Sequence, residues 1–308
     1  MRVIITGGTG LIGAALAQSL AKDGHEVIVL SRNPGSHSLP NGVRAEKWDG
    51  KTAVSWSHLA DGADAIVNLA GENLAGSGLL PSRWTAERKQ RIRQSRLDAG
   101  QAVVEAVTAV TNKPRVVIQA SGVDYYGALA DEVVTETSPP GKDGFLANVT
   151  IDWEAATAAV TAQGVRQVVI RSGVVFSRDG GPFKTLIFPF KLFAGGPLGN
   201  GRQWLSWIHL EDEVRAIRFL LEQETAVGAY NLCAPQPLTY RDMAKVVGKV
   251  MKRPSFVPAP AFALRLLLGE VADVVLNGRR ALPSRLEEAG FTFRYPDAET
   301  AVQNLLNK

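Results

Sequence analysis

The sequence predicts a doubly wound α/β fold, a parallel sheet with helices on both faces, joined to a smaller, mostly helical C-terminal lobe. Three observations predict it. Short apolar runs of the kind buried on both faces alternate with helical periodicity over residues 1–175. A glycine-rich loop links the first run to the first helical stretch, and the alternation breaks after Arg171.

The elements follow in chain order. Residues 3–6 form the first strand, and residues 11–21 a helix with its apolar residues on one face. Residues 26–30 (EVIVL), 43–47 and 65–69 read as the second, third and fourth strands. A long helix over 83–110 leads to a fifth strand at 115–119, and a helix over 145–162 leads to a sixth at 166–170. Residues 177–207 are rich in Gly, Pro, Phe and Trp and show no such rhythm. Residues 208–221 read as a helix and 229–232 as a strand returning to the sheet. From Pro235 the chain is helical and punctuated by Pro254, Pro258, Pro260, Pro283 and Pro296. The expected organisation is a cofactor domain over 1–175, to which 208–234 returns, and a substrate-facing lobe built from 176–207 and 235–308.

Composition narrows the class of function. The chain has 308 residues, 45% hydrophobic and 21% charged, an ordinary globular mixture. A net charge of +4 without a dense Lys/Arg run excludes nucleic acid as the expected partner. One local basic cluster, Arg83, Arg88, Lys89, Arg91, Arg93 and Arg96, falls on the long predicted helix. It is either a solvated face or a face turned to a phosphate. Cys233 is the only cysteine, so no intrachain disulfide or Cys-based metal site is expected, and it reads as a small buried hydrophobe. Four scattered His residues give no metal-ligand spacing. No apolar run approaches the length of a membrane span, and the first strand starts too early for a leader. The expectation is a cytoplasmic monomer or dimer acting on a small molecule.

The glycine loop carries the first chemistry. Thr6-Gly7-Gly8-Thr9-Gly10-Leu11-Ile12-Gly13 contains Gly-x-x-Gly-x-x-Gly between a strand and a helix. The glycines serve a tight turn, close approach of backbone to a pyrophosphate, and close packing of helix on strand. The helix then offers its amino-terminal N–H groups to the phosphates. Gly7, Thr9, Gly10, Leu11, Ile12 and Gly13 are therefore expected to bind a dinucleotide, on a doubly wound parallel Rossmann sheet. An NAD site wants a carboxylate at the end of the second strand, for the ribose 2′-hydroxyl. The sequence there is Leu30-Ser31-Arg32-Asn33, with no acid. Ser31 and Arg32 suit a 2′-phosphate instead, so the expected cofactor is NADP.

These motifs resemble those of the short-chain dehydrogenase/reductase superfamily in its extended branch. The shared elements are the glycine loop, Asn68-Leu69-Ala70-Gly71 after the fourth strand, Tyr126-Gly127 after the fifth, and His209 and Asp212 opening a late helix. A narrower resemblance covers nearly the whole chain. Glu72, Arg83-Trp84, Ser95-Arg96, Tyr125-Tyr126-Gly127, Trp153-Glu154, Arg171-Ser172-Gly173, Gly201-Arg202-Gln203-Trp204 and Trp207-Ile208-His209 are similar to the atypical "epimerase family" group. That group, often labelled as nucleoside-diphosphate-sugar epimerases, closes with a small domain of unknown function, which Gly269-Glu270, Pro283, Arg285 and Gly290-Phe291 resemble.

The resemblance implies that Asn68, Leu69, Ala70 and Gly71 run past the adenosine ribose and pyrophosphate. It places Asp49 either at the adenine or in a plain turn. Catalytic members use Tyr-x-x-x-Lys on the helix after the fifth strand, where the lysine lowers the tyrosine pKa for proton transfer. Here Leu146 and Thr150 occupy the two places. Ser121 resembles the superfamily's active-site serine and is expected at the cofactor and the reacting oxygen. Tyr126 is the expected substitute proton donor, with packing as the competing reading. Tyr125, Arg171, Gln203, Trp207 and His209 are expected to line the substrate side, and for His209 a structural place at the helix start competes with a general-base role. Two kinds of function stay open. One is an NADP-dependent oxidoreductase or epimerase acting on a small carbonyl, hydroxyl or sugar-nucleotide substrate. The other is a catalytically inactive NADP(H)-binding regulator, related to cell division.

Overall fold

The computed structural model describes residues 1–36, 39–76 and 82–306. β1 (Arg2–Thr6), α1 (Leu11–Lys22), β2 (Glu26–Ser31), β3 (Val43–Lys47), β4 (Ala65–Asn68), α2 (Ala86–Ala109) and β5 (Val116–Gly122) follow in order. A 3-10 turn, Val123–Tyr126, leads through β6 (Val133–Val134) to α3 (Phe145–Ala155) and β7 (Arg166–Ser172). β8 (Val174–Phe176), α4 (Pro182–Lys191), β9 (Trp204–Leu205), β10 (Trp207–His209), α5 (Leu210–Glu222) and β11 (Gly228–Leu232) come next. The chain ends with β12 (Leu238–Thr239), α6 (Tyr240–Met251), α7 (Ala261–Leu268), α8 (Asp273–Leu276), β13 (Arg280–Ala281), α9 (Ser284–Glu288) and α10 (Ala298–Leu306).

Seven parallel strands make the central sheet in the order β3-β2-β1-β4-β5-β7-β11. Alternation along β1 divides its side chains between two cores. Val3 and Ile5 join Leu16 and Leu20 of α1 and Ile217 of α5, whereas Ile4 joins Trp56 and Val103 and Val107 of α2. Each such side chain, fully buried, is worth about 1.5–3 kcal/mol. A third core, with Phe176, Phe183, Phe190, Met243 and Val302, lies under α4, α6 and α10. Residues 235–308 also reach the sheet, because Leu286 and Phe291 belong to the same core as β1 and β7.

Three local expectations change. The helix after the fifth strand ends at Ala155, and 158–163 form a 3-10 turn. Gln167 Nε2 on β7 donates to Thr157 Oγ1 (2.8 Å) and to the Glu154 carbonyl, which ties the end of α3 to β7. The stretch 177–207 contains α4, started by Pro182 in its first turn, where a missing N–H costs nothing. The helix expected from residue 208 begins at Leu210, since Trp207–His209 is a strand paired in parallel with β8. Among the described residues no helix is long and apolar enough to cross a membrane, and no group of His, Cys, Asp and Glu is placed to hold a metal.

Candidate cofactor cleft and active site

The strand order reverses between β1 and β4, and in open α/β sheets ligands enter at the carboxyl end of that crevice. Three fully buried polar side chains line the switch point. Thr6 Oγ1 donates to Asn68 Oδ1 (2.6 Å), and Asn68 Nδ2 donates to Gln119 Oε1 (2.9 Å). The Ala70 amide donates to Thr6 Oγ1 (3.1 Å), so Asn68 and Ala70 anchor the loop after β4. That loop lies against the glycine loop. At Gly7 (φ +67°) a Cβ would meet the Leu69 carbonyl at 2.8 Å, and at Gly13 a Cβ would collide with the Gly7 oxygen. Gly10 differs: it is exposed, and a Cβ there would meet only the Gly7 oxygen, at 3.2 Å. Gly10 caps α1 without a side-chain hydrogen bond, and the first turn holds no acid. The first-turn amides, from Leu11 and Ile12 onward, are thus presented uncapped at the positive end of the helix. Leu11's side chain rests against Gly180 and Gly181, and that of Ile12 packs on the core; what the two offer a ligand is backbone. Thr9 is half-buried beside them, and Gly71 is exposed at the mouth.

At the end of β2, Ser31 is buried and its Oγ accepts from the Asn33 amide (3.2 Å). Arg32 is exposed, with its aliphatic stem beside Gly50, and makes no ion pair or hydrogen bond among the described residues. Asp49 is a turn residue: its carboxylate accepts from the Lys51 and Thr52 amides and the Thr52 hydroxyl. The uncapped amides at the start of α1 fit the pyrophosphate of a dinucleotide.

The residues expected at the chemical step form a closed network. Ser121 Oγ donates to Glu154 Oε1 (2.7 Å). Arg171 holds the same carboxylate in two hydrogen bonds, Nε to Oε1 (2.8 Å) and Nη2 to Oε2 (2.9 Å). Its Nη1 donates to the Tyr126 hydroxyl (3.0 Å), which donates to Asn231 Oδ1 (2.7 Å). The guanidinium also lies 3.4 Å from the ring centroid of half-buried Tyr125. Burial opposes the charge on Arg171, but the Glu154 hydrogen bonds and charge outweigh it, so the group stays ionised. Tyr126 is 2% exposed, and burial pushes its phenol up to about 12 against the pull of Arg171. The hydroxyl is buried with its proton committed to Asn231, the packing arrangement that competes with the expected proton-donor role.

Three of the expected substrate-side residues have polar atoms engaged by backbone groups of the protein. Trp207 is fully buried, stacks on Phe176 and donates Nε1 to the Gln236 carbonyl (3.1 Å). Gln203 Nε2 donates to the carbonyls of Leu198 and Val275, both at 2.9 Å. His209 is buried at the start of α5, where Nδ1 accepts from the Glu211 amide (3.1 Å) and the ring packs on Tyr295. Their polar atoms looked available in the sequence because the backbone carbonyls and amide they bond carry no residue-type signal.

A cavity of about 120 Å³ opens beside the network, lined among others by Trp84, Asp124, Phe145, Leu146, Asp273 and Arg279. Arg279 closes it, pairing with Asp124 Oδ1 (2.8 Å) and donating to the Gly127 carbonyl (2.8 Å). Leu146, at the place of the superfamily's tyrosine, forms part of its wall, while Thr150 is buried and donates to the Leu146 and Ala147 carbonyls. Sequence reasoning missed Arg279, which comes to Asp124 from 155 residues away. A larger cavity of about 380 Å³ lies at the amino-terminal ends of β4, β5 and β7, the edge away from the glycine loop.

Comparison with known proteins identifies the family. Residues 3–233 match the NAD dependent epimerase/dehydratase family, and 259–305 match a domain of unknown function. The epimerase family protein SDR39U1 homolog, chloroplastic, of Arabidopsis thaliana is 39% identical over 99% of this chain and 87% of its own length. Epimerase family protein YfhF of Bacillus subtilis is 36% identical, over 99% of this chain and 98% of its own. The crystal structure of human epimerase family protein SDR39U1 with NADPH superposes with a TM-score of 0.89 at 33% identity, covering 100% of both chains. With three-quarters of its length matched to one family and relatives aligned end to end, this chain belongs to the NAD-dependent epimerase/dehydratase family.

Proposed function

We propose that the protein binds NADP(H) in preference to NAD(H) and exchanges hydride with a small carbonyl or hydroxyl compound, sugar nucleotides included. The observation that carries the preference is Arg32, exposed at the end of β2 and without an ion pair or hydrogen bond among the described residues, in a segment, Leu30-Ser31-Arg32-Asn33, that holds no acid. The NADPH in the human relative supports the same reading. When bound, the nicotinamide supplies the hydride; the chain orients it and handles the proton. Ser121 is our choice for the group at the reacting oxygen. Its own proton is committed to Glu154, so it offers a lone pair to a substrate hydroxyl. A proton received there has the Glu154 carboxylate behind it, which Arg171 holds in two hydrogen bonds. That arrangement suits withdrawing a proton from a hydroxyl better than delivering one.

A second reading, a cofactor-binding regulator without turnover, is favoured by one observation. Ser121, Glu154, Arg171, Tyr126 and Asn231 satisfy one another, as a purely structural network would. Nicotinamide absorbance of the NADPH-loaded protein, followed with a panel of carbonyl compounds, separates the two. Calorimetric titration tests the cofactor assignment. NADPH should bind tighter than NADH, and Arg32→Ala should weaken NADPH about 10- to 100-fold, the scale of a charged hydrogen bond, while sparing NADH. Equal wild-type affinity for both cofactors would sink the assignment.

A further inference from the structure

The basic cluster at the start of α2 does not act as one face. Arg91 is exposed, Arg93 pairs with Asp152 (2.6 Å), Lys89 pairs with Glu270, and Arg83 donates to the carbonyls of Leu266 and Leu267. Arg88 and Arg96 turn inward. Arg88 has Glu72 at 3.9 Å. Arg96 is 7% exposed and makes no ion pair among the described residues. Its Nη1 donates to the carbonyls of Ile92 (2.8 Å) and Glu72 (3.2 Å), its Nε has no partner among the described residues, and its plane lies 4.6 Å from the Trp153 ring centroid. Burial pushes its pKa down to about 10, with Glu72 and Asp124 pulling the other way from a distance.

A guanidinium cannot leave its charge behind on folding, and a buried charge is costly unless it is paired. Holding the loop after β4 to α2 does not require that charge. Trp84 Nε1 already donates to the Leu74 carbonyl (2.9 Å), Arg88 to that of Asn73 (2.6 Å), and Ser95 Oγ accepts from the Glu72 amide (2.9 Å). Position supplies another purpose. A Cβ on Gly71 would lie 3.0 Å from Arg96 Cζ, and two residues earlier Leu69 touches the glycine loop. The guanidinium therefore stands at the carboxyl edge of the sheet, between the phosphate cradle and the turn that carries Asp124. We propose that Arg96 is an anion-binding residue of the cleft, taking a phosphate or carboxylate group of a molecule that enters between the glycine loop and the Val123–Tyr126 turn. The planar, multiply donating guanidinium suits either oxyanion.

That group has two sources, the cofactor's pyrophosphate or an anionic second molecule. Calorimetry on the full chain distinguishes them, with inorganic pyrophosphate, NADPH and adenosine 2′-monophosphate as probes, and inorganic phosphate added to NADPH-saturated protein. Arg96→Gln should weaken pyrophosphate binding tenfold or more, whichever nicotinamide cofactor the protein prefers. If NADPH weakens in parallel while adenosine 2′-monophosphate does not, the oxyanion is the cofactor's. If NADPH affinity holds and the loaded protein binds phosphate only when Arg96 is present, it belongs to a second molecule. A folded Arg96→Gln protein that matches wild type with every probe overturns the proposal, as does a wild type that binds neither pyrophosphate nor phosphate and whose NADPH affinity ignores the substitution. Should Arg96→Gln fail to fold, Arg96→Lys identifies the Arg96 Nε–H resonance in wild-type NMR spectra. A resonance that shifts with none of the probes rejects the site.

Discussion

The Tyr126 hydroxyl gives its proton to Asn231 and receives one from Arg171, with 2% of the residue exposed. Tyr126→Phe leaves Asn231 Oδ1 without that donor in a buried place, at a cost of about 1–3 kcal/mol. Thermal unfolding should register the loss, while NADPH affinity stays at the wild-type value. A phenol acting as proton donor would give the opposite pattern, unchanged stability and turnover lowered roughly 10²–10⁴-fold. The glycine loop permits a sharper separation of fold from binding. A Cβ on Gly10 meets one backbone oxygen at 3.2 Å and otherwise open space, so Gly10→Val should fold and lose the cofactor. A Cβ on Gly13 collides with the Gly7 backbone, so Gly13→Ala should lower the melting temperature itself. A Gly10→Val protein that still binds NADPH tightly would show that the phosphate lies elsewhere. The glycine loop between β1 and α1 was legible in the sequence because its place is set within a few residues. The fates of Tyr126, Gln203 and Trp207 were not, because Asn231, Val275 and Gln236 decide them from afar.

Among the elements, α5 contains an acid with no counterpart charge among the described residues. Glu213, in its first turn, is fully buried; Oε1 accepts from Ser172 Oγ (2.5 Å), and Oε2 has no partner among the described residues. Burial pushes its carboxyl up to about 8, with the Ser172 bond pulling weakly the other way. The folded state thus holds a proton that the unfolded chain releases in the ordinary carboxyl range. Stability from this group is fully present below that range and declines as pH rises toward about 8. Over that window the decline should amount to a few kcal/mol, at about 1.4 kcal/mol per pKa unit. Glu213→Gln should flatten the pH dependence of the melting temperature and leave the variant more stable than wild type at alkaline pH. Identical slopes for the two proteins would place the titration elsewhere. The helix itself was visible in the sequence, apart from its first two residues. Ile208 and His209 extend the apolar pattern of α5 backward, but Val175 and Phe176 offer them strand partners, and pairing won over helix propagation. Likewise α3 was expected to run to 162, and the Gln167 contacts at its end come from another strand.

At the scale of the molecule, the residues matched as a separate domain of unknown function pack against the main sheet and bond to its edge strand. Leu286 and Phe291 sit in the core shared by β1, α1 and β7. Asn231 Nδ2 on β11 donates to the Leu282 carbonyl (2.9 Å), and Arg285 donates to the carbonyls of Ala229 and Val227. The Ser206 hydroxyl is shared between the Arg279 carbonyl and the Ala281 amide. Fully buried Asp212 accepts from the amides of Arg294 and Tyr295, both at 2.8 Å. Removing residues 259–308 would leave Asn231, Ser206 and Asp212 short of partners, at about 1–3 kcal/mol each and more for the charge. It would also uncover apolar surface on the sheet and on α6, against which α10 packs with Ala301 and Val302 fully buried. Losses of that size match the whole stability of an ordinary domain, roughly 5–15 kcal/mol. A chain ending at residue 258 should therefore lack a cooperative melting transition, and the full chain should melt in one. Arg279, which closes the cavity over Asp124, comes from the same segment, so loss of the fold and loss of the cleft should occur together. A truncated protein that melts cooperatively near the full-length temperature would instead make the C-terminal segment a separable cover, with the cleft's far wall carried on a detachable piece.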